Sequence, residues 1–353
     1  MAKRSVGKFV SDSHAAITAL FERSKQLASQ DPRVLTLLIG GERIRFVSAG
    51  PTMLDFVGPA LAHLPRLPGD EPADLTVTMW DAATTGAPYP DLRLPDVEPM
   101  AAGLLDAPEL LLSYYSQPRL MTVLDRNVDE ALFIADTADA LPPWERPSPM
   151  RALLSWWFTG RGKLMAHAAA VATDVGAALL IGPGGSGKSS TSLACMAAGM
   201  GWLGDDYVII DPRTRTVFSL YGSAKLVAEH HDRYPTLMRT DGTIHHADLE
   251  DKNFGFPAVE FPDRVCLSSE VRAVVLPVVT RGPECLLARS TPSRALLALA
   301  PSTIFQGRVQ HAEVFGLSRE VLRPFEPYRL ELGDGVEAVP QMLSQLIAAE
   351  GRP

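Results

Sequence analysis

Gly182-Pro183-Gly184-Gly185-Ser186-Gly187-Lys188-Ser189 fits the spacing G-x-x-x-x-G-K-[ST] of a phosphate-binding loop. The apolar run from Gly176 to Ile181 leads into it, and the helix-prone run from Ser190 to Ala198 leads out. A strand, a glycine-rich turn and a helix start are the setting in which this pattern binds phosphate. Glycines let successive backbone N–H groups curl around an anion, and the helix N-terminus adds partial positive charge. Lys188 has the reach for terminal phosphates, and the Ser189 hydroxyl suits Mg²⁺. The expected cofactors are therefore ATP, or a related phosphate compound, and Mg²⁺. The candidate binding residues are Gly182, Gly184, Gly185, Ser186, Gly187, Lys188, Ser189 and Ser190.

Phosphoryl transfer also needs a group that orients the nucleophile and accepts its proton. Two carboxylate candidates follow the loop: the pair Asp205-Asp206, and Asp211 at the end of Tyr207-Val-Ile-Ile210. Asp211 matches an apolar strand ending in a metal-binding acid, but Pro212 follows it, and Asp-Pro opens turns. The β-prone runs on either side of residues 211–215 predict a hairpin with Asp211 in its turn. The adjacent pair is the stronger candidate for chemistry. The pairs His230-His231 and His245-His246 make a poor zinc pattern, because neighbours on a strand alternate faces and no Cys lies close by. Trp156-Trp157 reads as a buried helix face.

Upstream, residues 14–29 carry Ile17, Leu20, Phe21 and Leu27 at helical spacing. Two strand-like runs between Leu35 and Val47 flank Gly40-Gly41, a hairpin pattern. Residues 54–64 read as a helix, 74–80 as a strand, 82–100 as loop and 110–135 as further strands. Pro142-Pro143, Pro147 and Pro149 then punctuate the chain. A boundary is expected there, between an N-terminal α+β domain over 1–148 and a phosphate-binding domain over 149–353. In the latter, 150–158 reads as a helix and 164–173 as an apolar segment interrupted only by His167. Residues 271–280 and 284–288 are strand-like; 293–299 and 338–349 are helix-like.

A chain of 353 residues with 46% hydrophobic and 21% charged side chains has the composition of globular domains. Its net charge of −8 argues against nonspecific nucleic-acid binding, which needs clustered positive charge. No apolar run reaches 18 residues, so no membrane span is expected. The basic start Ala2–Lys8 has no apolar run after it and does not read as a secretory signal. Cys195, Cys266 and Cys285 form an odd set without C-x-x-C spacing, which fits a reducing cytoplasm.

His167-Ala-Ala-Ala-Val171, a strand, Gly182-x-x-x-x-Gly187-Lys188-Ser189, a helix and Gly204-Asp205-Asp206 together resemble the kinase domain of HPr kinase/phosphorylase and its relatives. The resemblance spans about residues 150–345, with its strong motifs in 167–211. It implies an α/β fold with a P-loop core of mixed sheets, like that of phosphoenolpyruvate carboxykinase. It implies a catalytic group of His167, Lys188, Asp205 and Asp206. One acid takes the proton of the acceptor hydroxyl and the other helps hold the metal, for which Asp206 is set beside Ser189. Lys225 would contact phosphate or an acidic acceptor terminus. The glycine-rich signature that bacterial HPr kinases carry after the acid pair is missing, and the N-terminal region does not read as their regulatory domain. HPr is therefore not the implied acceptor. The segments Leu220–Leu226 and Leu297–Gln306 are similar instead to divergent HPr-kinase-like proteins. Some of these accompany peptide-maturation clusters, including those of lasso peptides, and phosphorylate a precursor's C-terminal serine. The implied activity is ATP- and Mg²⁺-dependent phosphorylation of a serine hydroxyl in a peptide or protein. A kinase of free serine and an NTP-hydrolysing switch are the alternatives, and neither N-K-x-D nor L-S-G-G-Q is present to favour the switch. The expected partners are the acceptor peptide or protein and further copies of this chain, with no nucleic acid and no membrane.

Overall fold

The computed structural model describes residues 2–90, 103–106, 109–227, 239–245, 251–280, 282–305 and 309–350. His230, His231, His246, Gln306 and residues 91–100 of the expected loop lie outside them. The chain forms two compact units, residues 1–37, 42–56 and 66–142 in one and residues 38–41, 57–65 and 143–353 in the other. Both are mixed α/β structures. No helix among the described residues is long and apolar enough to cross a membrane.

In the first unit, α1 (Ala2–Ala28) lays Ile17, Leu20 and Phe21 against Trp80, Leu112, Met121 and Ile134. The strands in chain order are β1 (Pro32–Ile39), β2 (Glu42–Ala49), β3 (Leu75–Asp81), β4 (Gly103–Asp106), β5 (Leu110–Ser116), β6 (Arg119–Asp125) and β7 (Glu130–Ala135). Their spatial order is β1-β2-β3-β7-β6-β5-β4. β3 is parallel to both β2 and β7, and the pairs from β7 to β4 are antiparallel. Gly40 and Gly41 take φ of 59° and 83°, the double left-handed conformation that a two-residue hairpin turn demands. Helix α2 (Thr52–Leu61) follows β2. One turn of helix, α3 (Ala82–Thr85), falls where only loop is expected from sequence. Asp81 caps it through the Thr84 amide, and Gly86 ends it in the left-handed region. Four residues are too few for periodicity to register.

The second unit begins with α4 (Arg151–Gly160), β8 (Leu164–Ala166), β9 (Ala168–Thr173), β10 (Gly176–Ile181) and α5 (Lys188–Ala197). Then come β11 (Gly201–Gly204), β12 (Val208–Asp211), β13 (Thr216–Ser219), β14 (Ala224–Val227), β15 (Gly242–Ile244) and β16 (Lys252–Gly255). The remaining elements are α6 (Pro257–Glu260), β17 (Ser268–Val279), β18 (Leu286–Arg289), α7 (Pro292–Ile304), α8 (His311–Leu322), β19 (Tyr328–Leu332) and α9 (Val339–Glu350). The main sheet runs β11-β9-β10-β17-β13-β12-β8, with β19 also on β17 and β18 on β19. β17 is its long central member, parallel to β10 and β19 and antiparallel to β13. β14, β16 and β15 form a separate small sheet.

Strand periodicity explains the packing. Ala169, Val171, Ala178 and Leu180 face a core with Leu193 and Met196 of α5 and Leu343 and Ile347 of α9. Ala168, Ala170, Leu179 and Ile181 face the opposite core, with Leu299 of α7 and Val314 and Val321 of α8. With both faces covered, β9 and β10 read as near-continuous apolar runs. The segment 164–173 is not one strand. It breaks at His167, β8 pairing with β12 and β9 with β10 and β11. The hairpin expected at 207–220 is β12–β13.

Candidate functional site

β10 ends at Ile181, and residues 182–187 turn directly into α5. Gly185 and Gly187 hold φ of 78° and 101°, which L side chains resist. A Cβ on Gly187 would stand 2.3 Å from Leu332 Cδ1, whereas one on Gly184 would meet nothing within 4 Å. The Lys188 ammonium donates to the Gly182 and Pro183 carbonyls at 2.6 and 3.2 Å. Burial lowers its pKa, against the opposing pull of Asp206 and Asp205.

A cavity of about 110 Å³ is bounded by the loop from Gly184 to Ser190 and, opposite, by His167, Asp206, Lys225 and Lys252. The side chains come from separate elements: His167 from the β8–β9 break, Asp206 from the turn after β11, Lys225 from β14 and Lys252 from β16. Two of the sequence candidates do not line this cavity. Gly182 lies beneath the loop with its carbonyl on Lys188, and Asp205 is 2% exposed behind its neighbour.

The two acids differ in their surroundings. Asp206 Oδ1 is 2.9 Å from His167 Nε2, and Oδ2 accepts from Lys225 Nζ at 2.5 Å. Burial works against the Asp206 charge, but the Lys225 ammonium and the His167 hydrogen bond hold its carboxyl well below the usual range. An ionised carboxylate only accepts, so Nε2 of His167 carries the proton. Burial lowers the His167 pKa although Asp206 opposes it, so the ring is neutral near pH 7 and its buried Nδ1 has no hydrogen-bond partner. Asp205 instead accepts from the Lys225 amide at 2.9 Å and the Ser192 hydroxyl at 3.2 Å, and it also engages Ser189. Burial, then the charge of Asp206, raises the Asp205 pKa. The Lys225 side chain is mostly buried. It bridges both acids and donates to Ser148 at 3.0 Å.

Behind His167 lies support that sequence reading missed. The Tyr207 ring stacks on the imidazole at a centroid distance of 5.3 Å, and Arg151 donates to the Tyr207 hydroxyl at 3.1 Å. Tyr207 follows the acid pair directly, a signal available in the sequence. Nothing local marks Arg151 or Lys252. Asp211 closes its turn, accepting from the Arg213 amide and guanidinium at 2.8–3.1 Å. These bonds lower its pKa.

Among the described residues no group of three His, Cys, Asp or Glu is arranged to hold a metal. The donor set still fits Mg²⁺ with a phosphate chain. Mg²⁺ is commonly held by one or two protein oxygens, phosphate oxygens and water. The Ser189 hydroxyl sits at the helix start with Asp205 behind it, and open loop glycines and ammonium groups surround the place for an anion.

No family model matches the chain, and no curated protein matches it. Among solved structures the chain is similar to the Hpr(Ser) kinase/phosphatase from Coxiella burnetii, with 14% identity and a TM-score of 0.25, over 52% of this chain and 94% of that one. A likeness of that size carries no argument about kinship or activity.

Proposed function

We propose that this protein is a Mg²⁺-dependent phosphotransferase that moves the terminal phosphoryl group of ATP to a serine hydroxyl of a peptide or protein. One observation carries the reading: the glycine-rich loop with Lys188 and Ser189 shares a single cavity with Asp206, His167 and Lys225. Backbone amides from Gly184 to Ser190 bind the phosphates, and Lys188 exchanges the Gly182 and Pro183 carbonyls for phosphate oxygens. When bound, Mg²⁺ would neutralise charge on the phosphate oxygens. Ser189 would hold it, with Asp205 fixing the Ser189 hydroxyl from behind. The sequence reading set Asp206 beside Ser189; the contacts of Asp205 with Ser189 and of Asp206 with His167 favour the opposite division.

Asp206 then faces the acceptor. It receives the hydroxyl proton, and His167 and Lys225 fix its orientation. A carboxyl with a low pKa is a weak base, but a loose phosphoryl-transfer transition state asks chiefly for positioning and charge stabilisation. Lys225 keeps Asp206 ionised and adds positive charge beside the transferred group.

The resemblance of 167–211 and 220–226 to HPr-kinase-like proteins supports a peptide acceptor, a lasso-type precursor being the first choice. The N-terminal 1–148 would position that acceptor, being larger than a small metabolite requires. The three cysteines are free thiols, in keeping with work in a reducing compartment. Mass spectrometry tests the acceptor. With Mg-ATP, a serine-bearing precursor peptide gains about 80 Da, and Ser→Ala in the peptide abolishes the gain. Free serine reacts poorly, since truncated substrates lose remote binding energy. Free serine phosphorylated as fast as any peptide would overturn the peptide acceptor.

A further inference from the structure

Pro143, Pro147 and Pro149 read as boundary punctuation in the sequence, but the segment they stiffen reaches the residues around the phosphate cavity. Residues 143–151 belong to the second unit and run into the first turn of α4. Proline fixes φ and lacks an N–H, so such a segment joins no sheet and its carbonyls need other partners. The Ser223 hydroxyl donates to the Pro147 carbonyl at 2.5 Å, and the Tyr221 hydroxyl to the Pro149 carbonyl at 2.6 Å. Glu145, buried, accepts from the Met150 amide at 2.7 Å. Met150 holds φ of 56°, a left-handed conformation that persists in a non-glycine residue where its surroundings fix it.

Two side chains lead from this segment to Asp206. Ser148, fully buried, accepts from the Lys225 ammonium at 3.0 Å, and Asp206 Oδ2 accepts from the same ammonium at 2.5 Å. Arg151 donates to the Tyr207 hydroxyl at 3.1 Å, and the Tyr207 ring stacks on His167, which meets Asp206 Oδ1 at 2.9 Å. Both oxygens of Asp206 are thus tied back to the same short segment. Neither Ser148 nor Arg151 lines the cavity, so each acts through another residue. A lysine ammonium has three donors on a flexible four-carbon stem. Asp206 and Ser148 take two of them and fix its direction, which leaves one for a phosphate oxygen. We propose that residues 143–151 are a positioning strap of the transferase site, in which Ser148 aims Lys225 and Arg151 aims His167 through Tyr207. Asp206 is then held in one orientation toward the acceptor. The inference rests on the phosphotransferase reading and adds Ser148, Arg151 and Tyr207 to it as positioning residues.

Single-turnover transfer from radiolabelled Mg-ATP to a serine-bearing peptide tests it, with Mg-ATP affinity and the urea midpoint measured alongside. Ser148→Ala removes one acceptor of Lys225 and keeps every charge. The transfer rate should fall about 5–10-fold, with Mg-ATP affinity within ~2-fold of the wild type. In a Lys225→Met background no ammonium remains to be aimed, and the same substitution should change the rate by less than ~2-fold. Tyr207→Phe frees the ring from Arg151 but keeps it over His167, and it should lower the rate by a similar factor. It also serves as the second variant should Ser148→Ala not fold. An unchanged rate in either folded variant would make the segment a fold element only and overturn the proposal. So would equal falls with and without the Lys225 ammonium, or a loss of Mg-ATP affinity as large as the loss of rate. In those cases transfer by the wild type leaves the phosphotransferase reading standing. A wild type that transfers no phosphate removes that reading and this inference together.

Discussion

Burial and partner charge pull the neighbouring carboxyls of Asp205 and Asp206 in opposite directions. Burial and the adjacent anion raise the first; Lys225 and His167 overcome burial and lower the second. Separate roles follow from separate environments, and isosteric substitution distinguishes them. Asp206→Asn keeps the shape but loses the charge and one of the two acceptors that face His167 and Lys225. Its turnover should fall at least ~100-fold with Mg-ATP affinity changed less than ~3-fold. Asp205→Asn disturbs Ser189 and should raise the Mg²⁺ concentration needed for half-maximal turnover. Asp211→Asn loses a turn contact to Arg213 and should leave turnover within ~3-fold. An essential Asp211 with a dispensable pair would reverse the assignment of roles. Of these residues, His167, Lys188 and the acid pair were legible because motif spacing marks them. Lys252 and Arg151 were not, since only tertiary packing brings β16 to the cavity and Arg151 of α4 to the Tyr207 ring behind His167.

At the scale of elements, the strand–loop–helix unit was legible because its local signals agree: an apolar run, glycines, then a helix-prone run. The break at His167 was not, because buried residues on both sides of it look alike in sequence. Pairing partners, β12 for β8 and β10 for β9, decide where the strand ends. The loop glycines carry a prediction. Gly187 has φ of 101° and its missing Cβ would strike Leu332, whereas Gly184 faces open space. Gly187→Ala should cost about 1–3 kcal/mol of stability, from strain at the α5 cap, and weaken nucleotide binding. Gly184→Ala should leave thermal stability nearly unchanged. Urea unfolding of the two variants side by side checks this; equal effects would contradict the geometry.

For the whole molecule, proline punctuation suggests a boundary near residue 148, but nothing in the sequence marks that the second compact unit takes in residues 38–41 and 57–65. Interleaving of that kind depends on long-range contacts, which periodicity does not encode. One such contact is the His63–Ser219 hydrogen bond at 2.8 Å within the second unit. Burial pushes the His63 pKa down from 6.5 to about 4. The unfolded chain therefore takes up its proton first as pH falls. Above pH 6.5 this histidine costs no stability; between 6.5 and about 4 the native state loses on the order of 2–3 kcal/mol. His167, also lowered, acts in the same direction, whereas burial raises the Asp205 and Glu145 carboxyls and these oppose it. The urea midpoint should fall steadily from pH 7 to pH 4.5, and His63→Gln should flatten the slope. The same pH slope in the wild type and in His63→Gln would contradict the buried neutral histidine.

The central claim is that the loop at 182–189 is the phosphate-binding half of a transferase site. Lys188 is its test, because Lys188→Ala removes the charge facing the phosphates while the backbone cradle remains. The decisive measurement is acceptor-dependent ADP release from Mg-ATP, compared between the wild type and a variant shown to be folded. The account predicts a fall of at least ~100-fold. Unchanged turnover in folded Lys188→Ala protein would contradict it.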